Sequence, residues 1–105
     1  MRSSAAEKLD AVATDVTVSE DALSVELSDG RMIVVPLEWY PRLLHAETTE
    51  RKSWRFIGGG HGIHWPAIDE DISIANLLLG QHSSESQTSF KKWLAGRSKR
   101  RRRGP

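Results

Sequence analysis

Apolar residues recur at every second position early in the chain. Val16 and Val18 fall on one side with Thr17 opposite, and Leu23, Val25 and Leu27 alternate with Ser24, Glu26 and Ser28. A period of two predicts strands, each with one buried face, over 14–19 and 23–28. Glu20-Asp21 marks a turn between them. Asp29-Gly30 follows the second strand directly and favours a tight hairpin turn of type I′, in which both central residues need positive φ. Residues 31–35 return as the partner strand, and Pro36 ends the ladder by withdrawing a backbone donor. A three-stranded antiparallel meander is expected.

After Pro36 the period changes. Leu37, Trp39, Tyr40, Leu43 and Leu44 fall at helical spacing, with Pro41 tolerated in a first turn. Thr48 or Thr49 is expected to cap a second short helix reaching Trp54, with Glu50 in its first turn. Arg55-Phe56-Ile57 reads as extended, Gly58-Gly59-Gly60 with Gly62 as a loop or bulge, and Ile63-His64-Trp65 as a short strand. Ser73 is placed to cap a helix over 74–79 that Gly80 stops. A polar linker over 81–84 follows. Ser84-x-x-Gln87 has a capping-box pattern. Phe90, Trp93 and Leu94 then form the apolar stripe of a last helix that Gly96 ends. Leu9 and Val12 allow one or two helical turns over 5–13, too few to be stable alone. The fold class expected is α+β: a small antiparallel sheet (the meander plus one or two short strands), short helices packed on one face, and a C-terminal helix. The boundaries are a leader over 1–13, the α+β domain over 14–80, a linker and docking helix over 81–96, and a disordered basic tail over 97–105.

Composition narrows the classes. The chain has 105 residues, 38% of them hydrophobic and 28% charged, as a small globular domain does. The lack of cysteine excludes disulfides, thiolate zinc sites and cysteine nucleophiles. No run of 18 apolar residues occurs, so no membrane association is expected. The start carries two early acids and no apolar core of a signal peptide, so a cytoplasmic location is expected. Net charge is +1, yet residues 1–80 carry 7 Lys/Arg against 13 Asp/Glu, and residues 81–105 carry 8 Lys/Arg against one Glu. An acidic body and a basic end are expected to be separate objects, the end being a solvated, self-repelling block.

Several segments in order carry a family resemblance: Leu-Ser-Asp-Gly-Arg at 27–31, Val-Pro-Leu-Glu-Trp-Tyr-Pro-Arg-Leu at 35–43, Trp-Arg-Phe-Ile-Gly-Gly-Gly at 54–60, Gly-Ile-His-Trp-Pro at 62–66 and Ile-Asp-Glu-Asp-Ile-Ser at 68–73. The run from Val16 to Gly80 resembles the bacterial family called domain of unknown function 2442, and Ser-Phe-Lys-Lys-Trp-Leu at 89–94 resembles the extension of its single-domain members. The resemblance implies a small α+β fold with an antiparallel sheet. It also implies a small partner protein encoded by a neighbouring gene, in arrangements like toxin–antitoxin pairs. Some longer relatives add a helix-turn-helix domain, for which the 25 residues after Gly80 leave no room, so direct sequence-specific reading of DNA is not expected. The family has no established catalytic residues to carry over.

The residues that invite chemistry have plainer readings beside them. The Gly58–Gly62 stretch lacks the Gly-Lys-Ser/Thr of a phosphate loop and the βαβ setting of a dinucleotide fingerprint, which leaves a bend that lets strands approach closely. His61 and His64, three apart in a strand, point to opposite faces and lack further donors for zinc. Asp69, Glu70 and Asp71 lack an EF-hand pattern and read as an acidic approach to a helix N-terminus, or as a surface for a basic partner. Trp39, Tyr40, Trp54 and Trp65 read mainly as core, since a domain this small needs large aromatics to bury enough apolar surface. No catalytic residue, metal site or cofactor is expected.

A non-catalytic protein-binding role is therefore expected, antitoxin-like or accessory, with Asp69, Glu70, Asp71, Trp65, Phe90 and Trp93 as the candidate contacts. Pairing of two copies is a further option. The alternative is an accessory nucleic-acid-binding protein using Arg97, Lys99, Arg100, Arg101, Arg102 and Arg103. Neutralising about six phosphates would give a salt slope of about −5, enough for sequence-independent attachment.

Overall fold

A computed structural model describes residues 11–103, with side chains to Arg97. Strands β1 (Ala13–Val18), β2 (Ala22–Leu27) and β3 (Met32–Pro36) form the expected antiparallel meander in the order β1-β2-β3. Val16 faces Val25, and Leu23 faces Val35. Val16, Leu23, Val25, Leu27 and Val35 are all buried. The register slips between Ala13 and Asp15, leaving Thr14 as the extra residue of a bulge whose hydroxyl donates to the Glu26 carbonyl at 3.3 Å. An added residue inverts the alternation, which is why Ala13 and Val16 are buried on the same side three positions apart.

The hairpin turn differs from the expected type. Gly30 has φ +94°, and among the described residues the only other residue outside glycine with positive φ is Asp69. The Gly30 amide donates to the Leu27 carbonyl at 3.0 Å, and the Leu27 amide to the Arg31 carbonyl at 2.8 Å. Ser28-Asp29-Gly30 is thus a three-residue loop, a type I turn closed by a glycine bulge, and only the glycine needs the left-handed region.

Beyond β3 come a 3₁₀ turn (Leu37–Trp39) and two short helices, α1 (Pro41–Leu44) and α2 (Thr48–Lys52). The cap of α2 is Glu47, in a reciprocal capping box with Glu50, rather than Thr48 or Thr49. A second sheet follows where only one or two short strands were expected: β4 (Arg55–Ile57), β5 (Gly62–Trp65) and β6 (Glu70–Ser73), in the order β4-β5-β6. The acidic triplet therefore opens a strand instead of leading into a helix. Ser73 does cap α3 (Ile74–Leu78), accepting from the Asn76 amide at 3.3 Å, and Gly80 ends it with φ +74°. At Gly60, φ is +96°, and a Cβ would lie 3.0 Å from the Val12 Cβ and 3.1 Å from the Ala13 carbonyl. This is the expected close approach, and it brings the turn between β4 and β5 against the start of β1.

Residues from both sheets and from the short helices join in one core, in which Leu23, Leu37, Leu43, Ile63, Trp65, Ile68 and Ile74 are almost wholly removed from solvent. Ala11 belongs to it, and the Val12 amide and carbonyl bond to Ser28, so the boundary expected at 13/14 falls too late. The rest of the expected helical leader, 1–10, lies outside the described residues.

The end of the chain departs furthest from expectation. Helix α4 (Gln87–Arg103) runs through Gly96 and seven residues past it into the basic block, which is helical where a disordered tail was expected. Ser86, rather than Ser84, receives the first-turn amide, from Ser89 at 3.1 Å. An interior glycine costs a helix only about 1 kcal/mol. Arg97 fastens the following turn with two hydrogen bonds to Glu50, at 2.9 and 3.0 Å. The polar stretch before α4 is also fixed: the Tyr40 hydroxyl donates to the Gln81 carbonyl at 3.0 Å, the Ser83 amide to the Trp39 carbonyl at 2.9 Å, and the Trp39 ring stacks on His82 at 3.9 Å. Among the described residues no helix is long and apolar enough to cross a membrane.

Candidate functional site

In β6 the pleat sorts side chains by parity. Glu70 and Ile72 point inward, at 8% and 2% exposure, while Asp71 faces out. Asp69 immediately precedes the strand at φ +53°, a left-handed conformation that aspartate tolerates better than most residues. Glu70 pairs across the ladder with Trp65. The acid expected at the surface is therefore buried. Trp65, expected as a contact, is fully buried, and its indole nitrogen donates to the Arg51 carbonyl at 3.1 Å. It belongs to the core and offers nothing to a partner.

Glu70 opens onto a cleft of about 390 Å³. Tyr40 and Arg42, from the approach to α1 and its first turn, form one side, and the segment 81–85 forms another. Arg42 decides the electrostatics. Its guanidinium grips Glu85 through Nε at 2.9 Å and Nη2 at 2.6 Å, and Nη1 donates to the Ile68 carbonyl at 2.8 Å. Both partners of this ion pair are about 15% exposed or less. Arg42 holds the Glu85 carboxyl below the ordinary carboxylate range, with the Ser89 hydroxyl helping at 2.7 Å.

Glu70 receives no hydrogen bond from any described residue, and burial pushes its carboxyl up to about 7. The Arg42 charge opposes that shift, while Glu85, Asp71 and Asp69 add to it. Burial, and then the charge of Glu70, pushes the Tyr40 phenol up to about 12. The cleft thus gathers four acids with one guanidinium that is already engaged.

The other candidates are scattered. His64 meets Asp71 across β5 and β6 through Nδ1, whereas His61 is exposed and stands apart from it. Among the described residues no three acidic or imidazole groups converge as a metal ion would require. Phe90 and Trp93 lie half-buried against this chain's own body: Phe90 packs on His45 at 5.2 Å, and the guanidinium carbons of Arg42 and Arg97 sit 5.1 and 4.7 Å from the Trp93 ring. Arg97 is likewise held, on Glu50, instead of lying free with the basic block. The side chains of Lys99, Arg100, Arg101, Arg102 and Arg103 lie outside the described residues.

Sequence reading missed Tyr40, Arg42 and Glu85 as parts of a site. They meet across about 40 residues of chain, and no local spacing signals such a meeting. Glu70 had a signal, because it alternates with Ile72 as an inward strand position does.

The buried acid sets a pH dependence. A carboxyl raised from its ordinary 4.5 to about 7 binds its proton more tightly in the folded state. Stability from this group is therefore complete below pH 4.5 and is lost as pH rises toward and through 7, a penalty of up to about 3 kcal/mol. Glu70→Gln removes the penalty. In urea unfolding the variant should exceed the parent by up to about 3 kcal/mol at pH 8 and match it at pH 4. A difference independent of pH would contradict the burial of this carboxylate.

The family profile described as "Protein of unknown function (DUF2442)" matches residues 13–83. A search of curated proteins finds no match. The crystal structure of a protein of unknown function from Rhodospirillum rubrum ATCC 11170 is similar, with a TM-score of 0.63 and 22% identity, over 74% of this chain and 96% of that one. At that identity the likeness concerns the fold. With a profile match that spans both sheets, β1 through β6, and the cleft between Tyr40 and Ser83, the chain belongs to the family of proteins of unknown function called DUF2442.

Proposed function

We propose that the chain is a protein-binding domain that acts by recognition rather than catalysis, the antitoxin-like or accessory member of a small bacterial two-protein system working in the cytoplasm. The observation that carries this reading is the cleft: a buried carboxylate with no donor of its own, among acids that outnumber the one guanidinium present. Such a site favours a basic partner, because complementary potential speeds encounter and an unpaired buried acid rewards an incoming cation. The exposed Asp69 and Asp71 at the rim supply the steering charge. Edge strand β3 adds a second gripping surface, with Met32 and Val34 more than half exposed on its outer face.

Co-expression with the product of the adjacent gene tests the proposal. The two proteins should form a complex at micromolar concentration, with an association rate that falls steeply with salt. Asp69→Asn with Asp71→Asn should slow association about tenfold at low ionic strength while leaving the folded state intact. Failure to bind at micromolar concentration removes the proposal, and an association rate insensitive to these changes removes the cleft from it.

A second reading, attachment to nucleic acid, is favoured by the helical continuation of α4 to Arg103. Five cations follow Arg97 within six residues of sequence, and neutralising about five phosphates would give a salt slope of about −4.5. Truncation after Arg97, which spares the contact with Glu50, should abolish retention of duplex DNA or RNA at low salt. Unchanged retention by the truncated chain excludes the reading.

A further inference from the structure

A second concavity, of about 360 Å³, adjoins the first and shares with it Asp71, Ile72, Ser73 and Asn76. Its character is different. Ile57, Gly58 and Gly62 line it, and Ile57 is 38% exposed. The Ile57 side chain lies over Gly62, where a Cβ would meet it at 3.0 Å, so this apolar wall is packed in place. The N-terminal turn of α3 and the end of β6 thus form a shared rim, with an acidic hollow on one side and an apolar hollow on the other.

The acidic hollow lacks a cation in a specific way. Glu70 is more than nine-tenths buried, and no described residue donates to it. Arg42 is the guanidinium nearest in role, yet its donors are directed to Glu85 and to the Ile68 carbonyl. A metal ion is a poor occupant, since the described acids and imidazoles do not converge. A guanidinium or ammonium on a flexible stem fits better, because its donors can reach a carboxylate that lines the cleft while its methylenes cover apolar surface.

We propose that the double groove is a peptide-binding site for a segment that carries an arginine or lysine beside an apolar residue, the cation entering toward Glu70 and the apolar side chain lying against Ile57. This rests on the protein-binding reading and names the partner chemistry within it. The groups facing Glu70 are Arg42 and Tyr40 from the region of α1, Glu85 ahead of α4, and Asp69 and Asp71 beside it, with His82 on the same opening.

The test uses the full-length chain, labelled for NMR, and n-hexylguanidinium as the probe, with guanidinium alone and n-hexanol alone as controls. Hexylguanidinium should give saturable shifts at the amides of β6, the start of α3 and 57–62, and should bind at least tenfold more tightly than either control. Glu70→Gln should weaken it about tenfold at pH 8 and leave hexanol unchanged. Ile57→Ala should weaken hexylguanidinium and leave guanidinium unchanged. Affinity in the parent should rise from pH 5 to pH 8, and Glu70→Gln should flatten that rise, which separates Glu70 from His82. Shifts spread over the acidic surface without saturation, or equal binding by Glu70→Gln, overturn the site. If Glu70→Gln and Ile57→Ala both retain parental affinity for the adjacent gene product, the groove is wrong while the protein-binding reading stands. Loss of that affinity in both supports the groove.

Discussion

Arg42 is the point on which the arrangement turns. One guanidinium reaches the carboxylate of Glu85, the backbone of the β5–β6 turn at Ile68 and the ring of Trp93, so it ties α1 to the second sheet and to the approach of α4. The segment it secures is held besides by hydrogen bonds and the Trp39–His82 stack, with little apolar packing of its own. Residues 81–86 contain no aliphatic side chain, and α4 offers only Phe90, Trp93 and Leu94 as large apolar residues. An ion pair in such a place costs desolvation, and it stabilises only when geometry and hydrogen bonding are complete. Both conditions are met: the fork is bidentate, Ser89 adds a donor to the same carboxylate, and every side-chain polar atom fully hidden from solvent among the described residues has a partner. The Arg97–Glu50 pair repeats the device one helical stretch later.

The cleft is the consequence. Two acids, Glu70 and Glu85, stand near one guanidinium, and the hydrogen bonds go to Glu85 alone. Glu70 feels the charge of Arg42 only at a distance, too weakly to offset its burial, so its carboxyl is pushed up while that of Glu85 is held down. Opposite shifts in neighbouring carboxyls arise from a single choice of partner. A strongly perturbed acid in a concave opening marks a functional candidate on physical grounds. Here its surroundings favour holding a cation.

What could be read from the sequence follows the range of the interactions. The meander was legible because alternation along β1, β2 and β3 is local, and the stop at Gly80 and the cap at Ser73 are signals within a few residues. Trp65 lies in the core, as its main reading had it, but Glu70 was misplaced, because the charges of Asp69-Glu70-Asp71 concealed an inward strand parity that only Ile72 revealed. The helical end was lost at Gly96, where a local stop signal is overruled by an ion pair to Glu50 that lies 47 residues away. The site itself was illegible, since the Tyr40–Gln81 and Arg42–Glu85 contacts span 41 and 43 residues and no spacing encodes them. A family profile that names no activity adds the fold and its extent, and the chemistry of the cleft must be argued from its atoms.

A double-mutant cycle on Arg42→Ala and Glu85→Ala, read by equilibrium unfolding in urea at pH 7, tests the central claim most directly. If this pair fastens the approach of α4 to the body and walls the cleft, the two losses share one interaction, and the coupling energy should lie between about 1 and 3 kcal/mol. Losses that add to within about 0.3 kcal/mol would show the two side chains acting independently, and the account of the cleft would fall with them.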